Sequence, residues 1–203
     1  MTILVNPGRD RAFTAAPVDG HPRSFHRRLP SYAVTPLVDV PAVARETGAA
    51  RVFVKDESSR LGLPAFKILG ASWAAYRALA DRLGHEPEWH DVEQLQAAFA
   101  PLGALTLVAA TDGNHGRAVA RVARLLGYRS RILVPAGTRG ARIDGIASEG
   151  ATVTVVDGTY DDAVATAAAC ASDDALVISD TAWPGYDVVP RRVIDGYSTI
   201  FEE

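Results

Sequence analysis

The chain has 203 residues, 48% of them hydrophobic and 22% charged, with a formal net charge of −3. Such proportions exclude a disordered tail, a collagen-like rod and a coiled coil, and the near balance of charge gives no electrostatic reason to expect a nucleic-acid or acidic-membrane partner. The single cysteine, Cys170, cannot close an internal disulfide; no run approaches the roughly 20 apolar residues that cross a bilayer, and Met1 to Arg11 lack the order of a signal peptide, so a reducing cytoplasmic compartment is expected.

In chain order, the residues through about Pro41 are rich in Pro, Arg and short polar breaks and read as an extended arm. Ala42 to Glu46 has room for a helical turn ended by Gly48. Arg51 to Asp56 alternates apolar and charged residues, the pattern of a strand with one face buried. A loop from Glu57 to Leu63 precedes Pro64, which suits the first turn of a helix because its missing N–H costs nothing there. Leu69, Trp73, Tyr76, Ala80 and Leu83 then recur at helical spacing. A short helix is predicted over Val92 to Phe99. Beyond it strands and helices alternate: strand Leu105–Ala110, helix His115–Leu126, strand Arg131–Val134, helix Ala141–Glu149 closed by Gly150, strand Thr152–Val156, helix Tyr160–Ala171 and strand Leu176–Ser179. Thr159 and Asp162 form a capping pair for the helix at Tyr160. Alternation of this kind implies parallel pairing through crossover helices, an α/β sandwich.

In such folds ligands gather where strands end and helices begin. Three segments have that location. Lys67 begins a helix beside Phe66 and Ile68; partial positive charge at the helix end and apolar neighbours both disfavour its ammonium, which would leave a nucleophilic amine for a carbonyl cofactor. Alone, it reads more readily as a surface lysine whose stem covers apolar area. In Thr111-Asp112-Gly113-Asn114-His115-Gly116-Arg117 the glycines let a ligand approach the backbone, and free N–H groups could hold a carboxylate or phosphate. Simple capping is the plain alternative for Asp112 and Asn114, and His115 is read as structural or orienting. Asp180, beside Thr181, Trp183 and Tyr186, could work as an acid or base in a partly dry pocket, or belong to a solvated loop with an aromatic anchor. His21, His26, His85 and His90 lack metal-ligand spacing, so no metal is expected.

Together these segments resemble the diaminopropionate ammonia-lyases, a family within the tryptophan-synthase-β-like fold of pyridoxal 5'-phosphate enzymes. The resemblance lies in Phe53-Val54-Lys55-Asp56-Glu57-Ser58, in Arg60 through Gly70, in Thr111 through Arg117, in Asp180-Thr181-Ala182-Trp183 with Gly185-Tyr186, and in Gly196-Tyr197-Ser198-Thr199, in family order. It implies a three-layer sandwich with a parallel sheet and β-elimination from 2,3-diaminopropionate to give pyruvate and ammonia. Lys67 would carry the cofactor as a Schiff base and later move a proton, with Phe66 and Asn114 also binding it. Thr111, Asp112, Gly113, Asn114 and His115 would hold the substrate, and Asp112 and Asp180 would serve as acid and base for its two enantiomers. Serine/threonine dehydratase chemistry is the alternative, although the corresponding turn there usually begins with serine.

The resemblance also divides the chain: 1–102 as the N-terminal part of a large domain, 103–175 as a small α/β domain, and 176–203 as a return into the large domain. Family members are considerably longer, and their glycine-rich phosphate loop and pyridine-nitrogen partner lie in the later part; no two glycines are adjacent here. A large domain left incomplete is therefore expected, with an exposed apolar face near Trp73 and Tyr76 on the order of a few hundred Å². The resemblance implies a homodimer for the full-length family, and the shortness leaves two expectations, a second chain supplying the missing half or an inactive remnant with weak carboxylate binding.

Overall fold

The computed structural model describes residues 6–203. Strands β3 (Thr106–Ala110), β4 (Arg129–Pro135), β5 (Thr152–Val156) and β6 (Ala175–Val177) form a four-stranded, all-parallel sheet in the order β5-β4-β3-β6. Between them run helices α5 (Asn114–Leu125), α6 (Gly140–Ala147) and α7 (Tyr160–Ala168). Alternation along β3 assigns the layers: Leu107 and Ala109 join the core under α5 with Val119 and Ile132, while Val108 and Ala110 meet Ala163 and Ala167 of α7 on the opposite face. The sheet is buried on both sides, as its continuous apolar runs require. The predicted three-layer α/β sandwich is the fold observed.

Chain order along the sheet matters for function. From β3 the chain steps outward to β4 and β5, then returns through α7 to lay β6 on the other side of β3. The direction of winding therefore reverses between β3 and β6, and a crevice opens outside their carboxyl ends.

The longest helix, α3 (Lys67–Leu83), lies behind α5 and packs along α8 (Val188–Gly196). A methyl group built on Gly70 would meet Val193 Cγ1 at 2.6 Å and Val193 O at 2.7 Å; one built on Gly196 would meet Leu69 O at 2.5 Å. The two glycines face each other and let the helix backbones touch. Gly116 has a similar steric reason, since a Cβ there would collide with Thr111 and Ile132. Its role is close packing of α5 on the sheet, where the sequence suggested ligand access.

Several expectations are corrected. The arm through Pro41 contains α1 (Pro22–His26) and β1 (Leu37–Asp39), and α1 is anchored by His26. The buried His26 ring bonds Thr199 Oγ1 at 2.8 Å and Leu69 O at 3.0 Å, and burial pushes its pKa down to about 3. Helix α2 (Pro41–Thr47) ends at a left-handed Gly48, as read. The strand at Arg51–Asp56 shrinks to β2 (Phe53–Lys55); paired only with β1, it leaves Phe53 46% and Val54 47% exposed, so neither face is buried. Pro64 stands three positions before α3 instead of inside it, in the bend that follows a 3-10 turn at Arg60–Gly62 with Leu61 and Gly62 left-handed.

Trp73 and Tyr76 are not bare. Both are 3% exposed and pack with each other and with Phe25 of α1, and Trp89, which precedes α4 (Val92–Phe99), packs on Phe25 and Tyr76; ring centroids lie 4.7–6.2 Å apart. The N-terminal segment folds back to cover the face that was expected to lack a partner. Helix α8 and the short α9 (Thr199–Glu202) were also not foreseen: Pro190 opens α8 in its first turn, a start signal the sequence reading passed over. Among the described residues no helix is long and apolar enough to cross a membrane.

Candidate active site

The crevice between β3 and β6 holds a cleft of about 280 Å³ lined by Lys67, Thr111, Asp112, Gly113, Asn114, His115, Arg142, Tyr160 and Asp180. Each of the three predicted segments contributes. Lys67 arrives as the first residue of α3; Thr111–His115 follows β3 into α5; Asp180 follows β6. Separations of more than a hundred residues in sequence close to hydrogen-bond distance.

The central contact joins Lys67 Nζ to Asp180 Oδ2 at 2.8 Å, with the lysine side chain 31% and the aspartate 16% exposed. Here the sequence expectation fails: the Lys67 amine lies above the ordinary lysine range. Burial, the largest single influence, pulls it down, but the Asp180 bond, Tyr197 and the Asp180 charge together outweigh burial. Lys67 is thus a protonated amine at neutral pH, held ready and not yet nucleophilic. Burial alone would raise the Asp180 carboxyl; His115, when charged, and the Lys67 ammonium bring it below the usual range. Since burial also holds the His115 ring well down towards neutrality, the ammonium carries most of this at neutral pH.

His115 is 3% exposed, and its Nε2 donates to the Ile178 carbonyl at 2.8 Å, tying the start of α5 to the end of β6. That bond leaves Nδ1 as a bare acceptor without a partner, 3.7 Å from Asp180 Oδ2. Thr111 Oγ1 accepts from Gly113 N at 2.9 Å and shapes the turn. Neither Asp112 nor Asn114 caps α5, whose N-cap is Gly113 with no side-chain bond, so the capping alternative does not hold. The Asn114 side chain is exposed to the cleft, and the first N–H groups of α5 lack carbonyl partners, as at any helix start.

Phe66 is not in the cleft lining. It stands edge-on to Tyr197, centroids 5.1 Å apart, and the Lys67 amine lies 5.8 Å from the Phe66 ring centre and 5.6 Å from that of Tyr197. The Tyr197 hydroxyl is buried with no hydrogen-bond partner. Tyr186 is the aromatic anchor of the third segment, stacked on Trp183 at 4.0 Å and donating to Val177 O at 2.6 Å.

Lys55, Glu57 and Arg60 do different work. The Arg60 side chain is fully buried and bonds both oxygens of Glu57 and both of Glu203 at 2.7–2.8 Å; Lys55 Nζ adds a bond to Glu203 at 2.7 Å, and Tyr32 one at 2.8 Å. This ionic knot locks the turn ahead of Lys67 to the end of α9.

Two cleft residues escaped sequence reading. Arg142 stands in the first turn of α6 and Tyr160 opens α7, its hydroxyl 3.1 Å from Thr181 Oγ1. Both follow strands of the same sheet on the same edge, so the rule that located Thr111 and Asp180 would have found them.

A primary amine at the floor of a polar cleft, two aromatic rings beside it, two unpartnered buried polar atoms and an exposed amide at a helix start make a donor set that fits an aldehyde-bearing aromatic cofactor. Fold and cleft together define an α/β chain with a lysine-centred polar cleft at the switch point of its sheet. The family model "Pyridoxal-phosphate dependent enzyme" matches residues 29–203, and the chain belongs to that family. It is 40% identical over 190 residues to the diaminopropionate ammonia-lyase of Salmonella typhimurium, covering 89% of this chain and 45% of that protein. The crystal structure of the Escherichia coli diaminopropionate ammonia-lyase in complex with D-serine superposes with a TM-score of 0.82 at 37% identity, over 89% of this chain and 46% of that one. The human L-serine dehydratase/L-threonine deaminase is 28% identical over 178 residues, 86% of this chain and 44% of that protein. The chain spans about half the length of the curated relatives it matches.

Proposed function

We propose that this chain forms part of a diaminopropionate ammonia-lyase, which converts 2,3-diaminopropionate and water to pyruvate and two ammonia molecules. The observation that carries the reading is the meeting of Lys67, Asp180 and the Thr111–His115 turn in one cleft at the switch point of the sheet, in a chain 37–40% identical to enzymes of that name.

In this reading Lys67 is the attachment point of pyridoxal 5'-phosphate, which when bound supplies an electron sink for the α-carbon. Asp180 first holds the Lys67 amine in place as an ammonium; once relieved of that partner, it can accept a proton from the substrate face it borders. Asp112, also in the cleft lining, serves the other enantiomer. Asn114 orients the cofactor ring through its amide, and Phe66 and Tyr197 flank the amine. The N–H groups opening α5, with Thr111 and Gly113, receive the substrate. His115 holds the α5 start against β6 and so fixes the distance between turn and Asp180. A dehydratase acting on serine or threonine is the second reading, favoured by the human relative; Asp112 argues against it, because a second carboxylate suits a substrate with a second ammonium.

A division at 102/103 belongs to the same proposal, supported by the placement of β3–β5 and α5–α7 within 106–168, while α3 and α8, from either side in sequence, pack on each other. The second boundary, read at 175/176, cuts β6 (Ala175–Val177), which pairs with β3, so it belongs after Val177. A cytoplasmic location and a homodimer complete it.

The test is borohydride trapping with added pyridoxal 5'-phosphate, peptide mapping, and measurement of pyruvate from 2,3-diaminopropionate and from serine. Label on Lys67, with turnover of the diamine above that of serine and loss of both in Lys67→Ala, is the expected result. Label on another side chain overturns the assignment, and faster turnover of serine moves it to a dehydratase.

A further inference from the structure

Where Asp180 faces His115, neither atom brings a hydrogen. The Ile178 carbonyl can only accept, so the His115 Nε2 that bonds it at 2.8 Å must carry the ring proton. Nδ1 is then a lone pair, buried and unpartnered, with Asp180 Oδ2 3.7 Å away. A carboxylate and a bare imidazole nitrogen repel unless a proton stands between them, and buried polar atoms without partners are rare in folded proteins. The surrounding backbone is pinned. Ile178 N donates to Val108 O at 2.7 Å, Ser179 N to the Tyr186 hydroxyl at 3.1 Å, and Thr181 N to Ser179 Oγ at 3.1 Å. His115 is thus tied two residues ahead of Asp180, and the carboxylate itself is what can turn.

Charge balance here depends on Lys67. Its ammonium is the cation paired with Asp180, while burial keeps His115 neutral. The other titratable groups around the pair are the phenols of Tyr160, opening α7, and Tyr197, following α8; burial raises both, so neither ionises near neutral pH. Asp112 and Arg142, the remaining charges of the cleft, face each other at 3.4 Å. A carboxylate only 16% exposed that loses its ammonium is left as a buried charge without a partner, and it responds by taking a proton.

We propose that His115 is the positioning residue for proton transfer at Asp180: when the positive charge of Lys67 is withdrawn, one proton enters between Asp180 Oδ2 and His115 Nδ1 and is shared by them. The proposal deepens the ammonia-lyase reading and rests on it for the source of that proton, the α-carbon of the substrate. Asp180 takes the proton and leaves the electron pair on carbon, for the cofactor to hold. The carboxyl turns from Lys67 to His115, whose Nδ1 receives its hydrogen bond. As Lys67 is released as a free amine, the proton passes to it, and the ammonium and the bare pair are restored.

The experiment follows the His115 ring nitrogens and the Asp180 carboxyl carbon by NMR through a pH titration of the protein without cofactor. In wild type Nδ1 should read as a bare acceptor at neutral pH. Lys67→Met removes the cation and keeps the stem; Nδ1 should then gain a proton or hydrogen bond, and the pair should titrate about 1–3 pH units higher, the span set by one adjacent opposite charge. Lys67→Arg keeps the charge and should preserve the wild-type signal, and Lys67→Met combined with Asp180→Ala should return Nδ1 to a bare acceptor. The Lys67 side chain is 31% exposed, so circular dichroism should not change. Acetylating the folded protein, whose only other lysine is Lys55, removes the same charge without a substitution and should give the same shift. An Nδ1 already protonated in wild type, an Nδ1 still bare after the charge is removed, or an equal shift in Lys67→Arg overturns the proposal. Borohydride label on Lys67 and pyruvate formation alongside a bare Nδ1 in Lys67→Met refute this role alone. Label on another side chain, with proton entry in Lys67→Met, refutes the lyase reading and leaves the pair standing.

Discussion

Replacing Gly70 by alanine sets two physical effects against each other at a position where the structure says which wins. In an open helix interior the change gains about 0.5–1 kcal/mol, because glycine loses more backbone freedom on folding. At Gly70 the added methyl group would lie 2.6 Å from Tyr197 Cε1 and from Val193 Cγ1, and 2.7 Å from Val193 O. The two side chains could turn aside, but the carbonyl belongs to the α8 backbone, so the helix itself must retreat. Overpacking of this kind costs about 1–3 kcal/mol, leaving a net loss of roughly 1–2 kcal/mol, which for a chain of this size lowers Tm by about 2–8 °C. Gly145 is the internal control. It lies within α6, and its Cβ would meet only the Arg117 side chain, nearest at Nη1, 3.6 Å away, an ordinary contact; Gly145→Ala should therefore be stabilising. Thermal and urea unfolding followed by circular dichroism read both variants. Substitutions of opposite sign are expected, and a Gly70→Ala protein that unfolds at or above the wild-type midpoint refutes the account of backbone contact between α3 and α8.

Asp180→Asn removes the charge and the strongest hydrogen bond that raise the Lys67 amine, so the pH profile of Lys67 alkylation by a neutral reagent should move to lower pH; a profile that stays put means Asp180 does not govern the lysine. Glu57 and Glu203 both titrate below their ordinary range when folded, because Arg60 and, for Glu203, Lys55 favour their charged forms against burial. Groups depressed in this way contribute stability that is present above the unfolded carboxylate range, about pH 4.3, and is lost as pH falls below it. Glu203→Gln should consequently cost roughly 3 kcal/mol near neutral pH, the low end for breaking a buried pair since Arg60 retains Glu57, and the deficit should shrink in acid; a deficit that is the same at every pH removes the electrostatic explanation.

How far the sequence reveals the structure depends on the range of the forces involved. Helix α4, predicted at Val92–Phe99, has those bounds, and Thr159 and Asp162 make the reciprocal capping bonds read from their spacing, since both are set by neighbouring residues. The alternating strands and helices from β3 to β6 declare a parallel sheet through local hydrophobic pattern, and from that the cleft at their carboxyl ends could be placed. Interactions between distant residues were less legible. Arg60 and Glu203 are 143 residues apart, so nothing in local spacing reveals the ionic knot that Lys55 and Glu57 form with them. Lys67 meets Asp180 across 113 residues, and its charge state is decided by that partner more than by the apolar neighbours adjacent in sequence. Helix α1, five residues long, has too little periodicity to announce itself; its Phe25 shows its worth only when packed on Trp73 and Tyr76.

The cleft wall owes Asn114, Arg142 and Tyr160 to the opening turns of three successive helices, each joined to its strand by a short connection at the sheet rim. None of the three side chains supports the β-sheet core. An ancestral scaffold of this kind can be retuned one turn at a time, exchanging the group that greets a new substrate while the lysine and the strands beneath keep their positions. Diversification of the reaction partners then proceeds by small edits at the rim, with no need to rebuild the foundation.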